Sequence, residues 1–353
     1  MVRKASAARK ATPARNSTAR RKKKLRRVWS PWSAPTYADS TIGDLTDGED
    51  LEIRDAAVEA LGPLNGSVVV VDSANGRVLT IVNQRLALSN GYQPCSTIKV
   101  PVALAALSEG LIDSQDTRVK IGRRTRMGLT EALAKSNNPY FAVLGTQLGF
   151  ERMDHYARLF GIGEKAGLDI PGEQPGFWPS APPRLGGMGM LTSYGEEIQL
   201  TPLQLAAIMA AVANGGTLYY LQYPRTQPEI DHLVPQVKRR LEIDKYIPDL
   251  LPGMAGAVQY GTARRIMAIT EDPIVGKTGT CSQDRVHLGW FGSFNEFGPR
   301  RLAVAVLLTG GKPSMGPAAA GVAGSFFKKL ADQNYFARDG GLPAAAAGEA
   351  QTQ

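Results

Sequence analysis

Residues Gly276–Gln283 read GKTGTCSQ, and two more strand-like runs come directly after: VHLGWFGSF (Val286–Phe294) and RLAVAVLLT (Arg301–Thr309), with NEFGPR turning between them. The other end of the chain carries the same signature. SVVVVD (Ser67–Asp72) and RVLTIV (Arg77–Val82) are β-branched runs on either side of SANG, which has hairpin chemistry. A first helix is expected over Leu51–Leu61, ended by Gly62-Pro63, and another over Ser96–Gly110, where Pro101 is tolerable only near the first turn. From Leu111 to Asn214 the patterns are mostly helical, broken by a long irregular stretch over Gly172–Met190. The uncharged stretch Ile198–Pro224 reads as a core helix followed by a turn, and Pro317–Phe336 as a closing helix. Early strands, a helical middle, late strands and a final helix predict an α+β architecture whose sheet joins both ends of the chain.

With 353 residues, 43% of them hydrophobic, the chain can bury a sizeable core. Its net charge of +9 suggests nucleic-acid binding until the charges are located. Twelve of the 41 Lys and Arg lie in residues 1–27, which contain no acid, leaving 29 bases against all 32 acids in the remainder. The basicity therefore belongs to a tail containing RRKKKLRR (Arg20–Arg27), and the rest is close to neutral. Composition predicts disorder for residues 1–38, a lead-in segment over 39–64, one folded domain over 65–336 and a second disordered tail over 337–353. The basic tail suits an anionic surface such as lipid headgroups, wall polymer or nucleic acid, or else acts as a solvated arm. The next stretch, VWSPWSAPTYADST, is broken by prolines and polar residues, so neither a signal peptide nor a membrane span is visible.

Three short motifs occur in order: CSTIK (Cys95–Lys99), KSNNPYF (Lys135–Phe141) and GKTGT (Gly276–Thr280). Each alone is weak, and SNN would equally cap a helix. Together they make chemical sense. Ser96 and Lys99, three apart on a helix, share a face and supply a hydroxyl nucleophile with an amine to take its proton. Lysine is a poor base unless burial or a neighbouring cation lowers its pKa from about 10.4, and Lys277 is a candidate for that cation. The Ser96 N–H at the helix start and an N–H from the KTGT strand at Thr280 would form an oxyanion hole. In that strand Gly279 removes a side chain that would obstruct a substrate along the edge, while Lys277 and Thr280, flanking Thr278, are able to hold a carboxylate.

These motifs, in this order, resemble the signature of the penicillin-binding proteins and serine β-lactamases. The flanks are similar to the transpeptidase domain of large penicillin-binding proteins: VVVVDSANGRVL, LTEALAKSNNPYF, FGIGEKAGLDIPGEQPG, SYGEEIQLTPLQLAAIMAAVANGG, and GKTGT followed by WFGSF. TPLQLA and ANGG favour a transpeptidase over a β-lactamase. The resemblance implies an antiparallel five-stranded sheet flanked by helices with an inserted all-helical subdomain. It implies acylation of Ser96 by D-alanyl-D-alanine stem peptides of peptidoglycan, with Lys99 as base, Ser136 relaying a proton, Asn138 holding the substrate amide, and Lys277 with Thr280 binding the terminal carboxylate. β-Lactams would be trapped at Ser96. No cofactor and no metal are implied, and the compartment would be the periplasm or cell envelope. Large transpeptidases carry a glycosyltransferase or pedestal domain and a membrane anchor before this region, whereas about 60 residues precede it here, so polymer synthesis by this chain is not expected and a separate glycosyltransferase or anchor protein becomes a possible partner.

Cys95 and Cys281 are the two cysteines, one beside the expected nucleophile and one beside KTGT. The fold of the resembled family lays these positions together, and some serine β-lactamases have a cystine there, which implies a Cys95–Cys281 disulfide and an oxidising compartment; two buried free thiols are the other reading. His155, His232 and His287 show no metal-ligand spacing. Glu196 and Glu197 lack the Glu-x-x-Asn pattern that activates a deacylating water. Trp29 and Trp32, outside the expected domain, would dock on it or meet a membrane interface. A D,D-carboxypeptidase or slow β-lactamase shares every motif; a β-lactam or muropeptide sensor is the alternative from another class, and a structural wall-binding protein would not require Lys99 beside Ser96.

Overall fold

The computed structural model describes residues 32–313 and 315–337; the two tails expected from composition lie largely outside this range, as does Trp29. In chain order the elements are α1 (Leu51–Leu61), β1 (Gly66–Asp72), β2 (Val78–Val82), α2 (Gln84–Ala87), α3 (Lys99–Ser108), β3 (Val119–Lys120), β4 (Arg126–Met127), α4 (Leu129–Ala134), α5 (Asn138–Leu159), α6 (Gly187–Tyr194), α7 (Pro202–Ala213), β5 (Thr217–Tyr219), α8 (Gln227–Asp231), β6 (Val237–Arg240), α9 (Ile247–Gln259), β7 (Ile274–Gln283), β8 (Val286–Asn295), β9 (Leu302–Gly310) and α10 (Gly316–Asp332). Five strands form one antiparallel sheet in the order β2-β1-β9-β8-β7, so the early hairpin and the three late strands join through β1 and β9. The chain leaves this sheet after Val82 and returns at Ile274, and the excursion is mainly helical. The expected α+β, five-stranded architecture is therefore the one observed.

The sheet is buried on both faces, which explains its unbroken apolar runs. Val68, Val70, Val304 and Val306 pack with α1 and α10 in one core, whereas Val69, Val71, Ala303 and Ala305 face the other, built on α3, α5 and α7. Successive residues point to opposite faces, so VVVV serves both cores. TPLQ at the start of α7 is structural: Thr201 and Gln204 form a reciprocal capping box around Pro202. Gln204 Nε2 also donates to the carbonyls of Glu164 and Pro175 at 2.7 Å, fastening the irregular stretch. The small ladder β3–β4 interrupts the stretch that reads as mostly helical, β5 falls where Ile198–Pro224 reads as a turn, and β6 and helix α9 lie in a segment that the sequence patterns leave unassigned.

Two expectations change. Ser96–Gly110 is not a single α-helix but opens as a 3-10 turn over Cys95–Ile98 that leads into α3, with Cys95 itself at φ 52°, outside helical space. Pro101 falls in the first turn of α3, where its missing N–H costs no hydrogen bond. Residues 32–38, grouped with the tail by composition, run against the domain. The Trp32 ring lies 3.4 Å from that of His287, Ser33 N donates to Arg285 O at 2.8 Å, and Asn65 Nδ2 donates to Pro35 O. Among the described residues no helix is long and apolar enough to cross a membrane.

Most of the acidic lead-in is exposed, Asp39 and Asp47 included, but two of its carboxylates, Asp44 and Glu49, are buried. Arg54 of α1 pairs with Asp44 at 2.7 Å and Glu49 at 3.1 Å, and both carboxylates are almost fully enclosed. Glu49 further accepts from Thr80 Oγ1, Ile81 N and the Tyr223 hydroxyl, and Asp44 accepts from the backbone of Asn83 and Gln84. This network ties the lead-in to β2 and to the far side of the chain. Removing one partner strands buried charge, so Arg54→Leu is expected to lower unfolding stability by about 3–5 kcal/mol in urea titration.

Candidate active site

The three motifs converge. Lys99 at the start of α3 is fully enclosed, and its Nζ donates to Ser96 Oγ at 3.0 Å, to the Ser136 carbonyl at 2.9 Å and hydroxyl at 3.1 Å, and to Asn138 Oδ1. Ser136 comes from the turn between α4 and α5, and Asn138 is the first residue of α5. The intervening Asn137 caps α5 by accepting from Tyr140 N at 2.9 Å. Capping and chemistry are thus shared along SNN, with the outer two residues facing Lys99 and the middle one holding the helix. Ser136 adopts φ 54°, a left-handed conformation that costs a non-glycine residue energy and aims its hydroxyl at the lysine.

Burial, reinforced by the nearby Lys277 ammonium, pushes Lys99 down to about 6, so near neutral pH its amine is available as a base. Burial alone pushes Lys277 down to about 7. Lys277 is fully enclosed, and its Nζ donates to Thr278 O at 3.0 Å. It is not among the residues that line the cleft. A cleft of about 1030 Å³ opens above, lined by Ser96, Ser136, Asn138, Thr278 and Thr280 among others. Thr280 is exposed, and its hydroxyl accepts from Gly316 N of α10 at 2.7 Å, leaving its own proton to donate into the cleft. β7 is the outermost strand, so one side of its backbone is unpaired by the sheet.

The nucleophile turn is fastened to β7 and β8 at several points. Cys95 and Cys281 form a disulfide with Cα atoms 5.6 Å apart across a sequence separation of 186. Trp290 Nε1 donates to Gln93 O at 2.9 Å, and Gln93 N donates to Gln283 Oε1 at 2.8 Å. Glu196 Oε2 accepts from Gln93 Nε2, so it braces this turn. Gly279 answers a constraint within the fold that the sequence did not show. A Cβ there would stand 2.8 Å from Pro94 O and 3.3 Å from Cys95 Cβ, so the missing side chain admits the turn that carries Ser96.

Sequence reasoning missed residues contributed by the α9–β7 connection. Thr262 Oγ1 lies 2.6 Å from Thr278 Oγ1, and Arg264, Arg265 and Met267 line the cleft, as do Tyr194 and Met315. No motif among those read from the sequence marks them; the one usable signal was GTARR directly after an amphipathic helix.

With this geometry in place, the family described as penicillin binding protein transpeptidase domain matches residues 66–332. The chain belongs to that family. Stage V sporulation protein D of Bacillus subtilis is 28% identical over 256 residues, covering 64% of this chain and 39% of that protein. Peptidoglycan D,D-transpeptidase PbpA of Mycobacterium tuberculosis is 26% identical over 314 residues, covering 71% and 63%. Among solved structures, Pseudomonas aeruginosa PBP2 in complex with WCK 5153 aligns with a TM-score of 0.65 at 25% identity, covering 80% of this chain and 74% of that one. This penicillin-binding transpeptidase domain spans less than half the length of the sporulation protein. Substituting Gly279→Ala forces the strand away from Pro94 and is expected to cost about 1–3 kcal/mol of stability, with slower Ser96 acylation, read by chemical denaturation and by labelling rate.

Proposed function

We propose that the chain is an acyl-serine D,D-transpeptidase acting on peptidoglycan stem peptides that end in D-alanyl-D-alanine. The observation that carries this reading is the enclosed Lys99 amine, 3.0 Å from Ser96 Oγ and in contact with Ser136 and Asn138 at the floor of an open cleft. Ser96 Oγ attacks the penultimate D-alanine carbonyl while its proton passes to Lys99 Nζ. The amides of Ser96 and Thr280 receive the developing oxyanion. Asn138 holds the substrate amide. The hydroxyls of Thr278 and Thr280 receive the terminal carboxylate, with the Lys277 charge below them. As the C–N bond breaks, Ser136 Oγ hands a proton from Lys99 to the departing D-alanine amine. An amine from a neighbouring stem peptide then attacks the ester and releases Ser96.

A β-lactam acylates the same oxygen and stays, because no carboxylate in the cleft lining is placed to activate water. The family and the cystine support a cell-envelope setting, since disulfides persist in oxidising compartments. Peptidoglycan stem peptides and β-lactams are the proposed ligands, a separate glycosyltransferase or anchor protein a proposed partner, and the basic tail a proposed contact to an anionic surface.

Incubation with a fluorescent penicillin is expected to label the wild type for many minutes and Ser96→Ala not at all; rapid loss of label with turnover would point to a β-lactamase instead. Because Lys99 must be neutral to accept a proton, the second-order labelling rate is expected to rise with pH through about 6. It is expected to fall again as the Lys277 ammonium is lost through about 7. A stopped-flow pH series reads both limbs, and a rate that is flat from pH 5 to 9 would remove Lys99 as the base.

A further inference from the structure

Thr262 fixes a short turn against the hydroxyl pair of β7, and the residues next along the chain face the cleft. The turn is held from both sides: Thr262 Oγ1 meets Thr278 Oγ1 at 2.6 Å, and Thr262 N donates to Ala134 O at 3.1 Å. A Cβ on Gly261 would fall 2.1 Å from that same Ala134 carbonyl, so the backbone is pressed against the end of α4. From this anchored turn Arg264 and Arg265 project into the cleft wall, and both are exposed. The stem of Arg265 lies over Gly321 of α10, where a Cβ would stand 3.1 Å from Cδ and Nε, so the chain is packed while the head reaches solvent. Among the described residues neither guanidinium has an ion-pair or hydrogen-bond partner, and the cleft lining contains no Asp or Glu. Two unneutralised cations therefore stand on the carboxylate side of the site, beside the adaptable side chains of Met267 and Met315.

We propose that Arg264 and Arg265 form an acceptor subsite that selects an amine substrate carrying a carboxylate beyond its α-carboxylate. This rests on the transpeptidase reading. The first D-alanine leaves from the end of the cleft where its carboxylate was held, and the incoming amine must occupy the place it vacates. An acceptor shaped like a D-amino acid sets its α-carboxylate on Thr278 and Thr280, and whatever its side chain carries then meets the two arginines. The amine nitrogen attacks the Ser96 ester carbonyl, the new C–N bond forms as the C–Oγ bond breaks, and one amine proton passes by way of Lys99 to Ser96 Oγ, restoring the free enzyme. The subsite acts on this second step by raising the local concentration of the anionic acceptor against water.

The test uses the full chain, a donor peptide ending in D-alanyl-D-alanine, and two nearly isosteric acceptors that differ by one charge, D-glutamate and D-glutamine. Transfer and hydrolysis products are separated by mass. Wild type is expected to transfer to D-glutamate about fivefold better than to D-glutamine at low salt, the size of exposed ion pairs, with the preference shrinking at high salt. The double variant Arg264→Gln/Arg265→Gln is expected to lose the preference and Arg264→Glu/Arg265→Glu to reverse it. Equal use of the two acceptors by wild type at low salt overturns the proposal without requiring any variant to fold. A preference that survives in a double variant with an unchanged melting curve overturns it as well. Failure of the underlying reading has a different signature: no Ser96 adduct appears by mass when wild type meets the donor alone.

Discussion

The structure turns on one enclosed amine. Lys99 Nζ has no solvent exposure and sits among the Ser96 hydroxyl, the Ser136 hydroxyl and carbonyl, and the Asn138 amide oxygen. Burying a lysine disfavours its charged form, and a second buried lysine nearby adds to the effect. The amine is thus both the source of the chemistry and a cost to the fold, because in the unfolded chain it would be protonated across the same pH range. Every other feature of the site bears on keeping that amine dry and the nucleophile within its reach.

Precision at Ser96 comes from the strand opposite it. The turn preceding the serine is held by the cystine to Cys281, by the Trp290 indole on Gln93 O and by the Gln283 side chain on Gln93 N. The approach is so close that Gly279 has no room for a side chain. Left-handed backbone at Cys95 and Ser136 places conformational strain on both sides of the reacting centre, and it persists because the surrounding contacts over-determine these positions. Holding groups in place before substrate arrives is what makes their dipoles and protons useful in a transition state.

The sheet provides the platform. Its central strands are packed on both faces, with α1 and α10 on one side and the helical excursion on the other, which leaves the outermost strand, β7, as the edge presented to the cleft. α10 begins against Thr280, so the closing helix also supports the Thr280 end of the cleft. The lead-in completes the far side through the buried Asp44–Arg54–Glu49 group, an arrangement opposite to what an acidic, polar stretch suggests in isolation.

Local patterns in the sequence determined the elements that are decided locally. Leu51–Leu61 has its Gly62-Pro63 stop, SANG has hairpin chemistry, and the apolar runs at both ends read as strands of a shared sheet. The order of CSTIK, SNN and KTGT named most of the floor of the cleft, because those residues carry unusual chemistry in short windows. Beyond its reach lay the contacts between distant segments: the close approach of Pro94 to Gly279, the burial of Asp44 and Glu49 and the entire contribution of the α9–β7 connection. These depend on which backbone passes within 3–4 Å of which, and only closure of the tertiary fold sets such distances. Thr262, Arg264 and Arg265 look like ordinary polar residues along the chain; they become part of a site only when β7 and α10 are laid beside them.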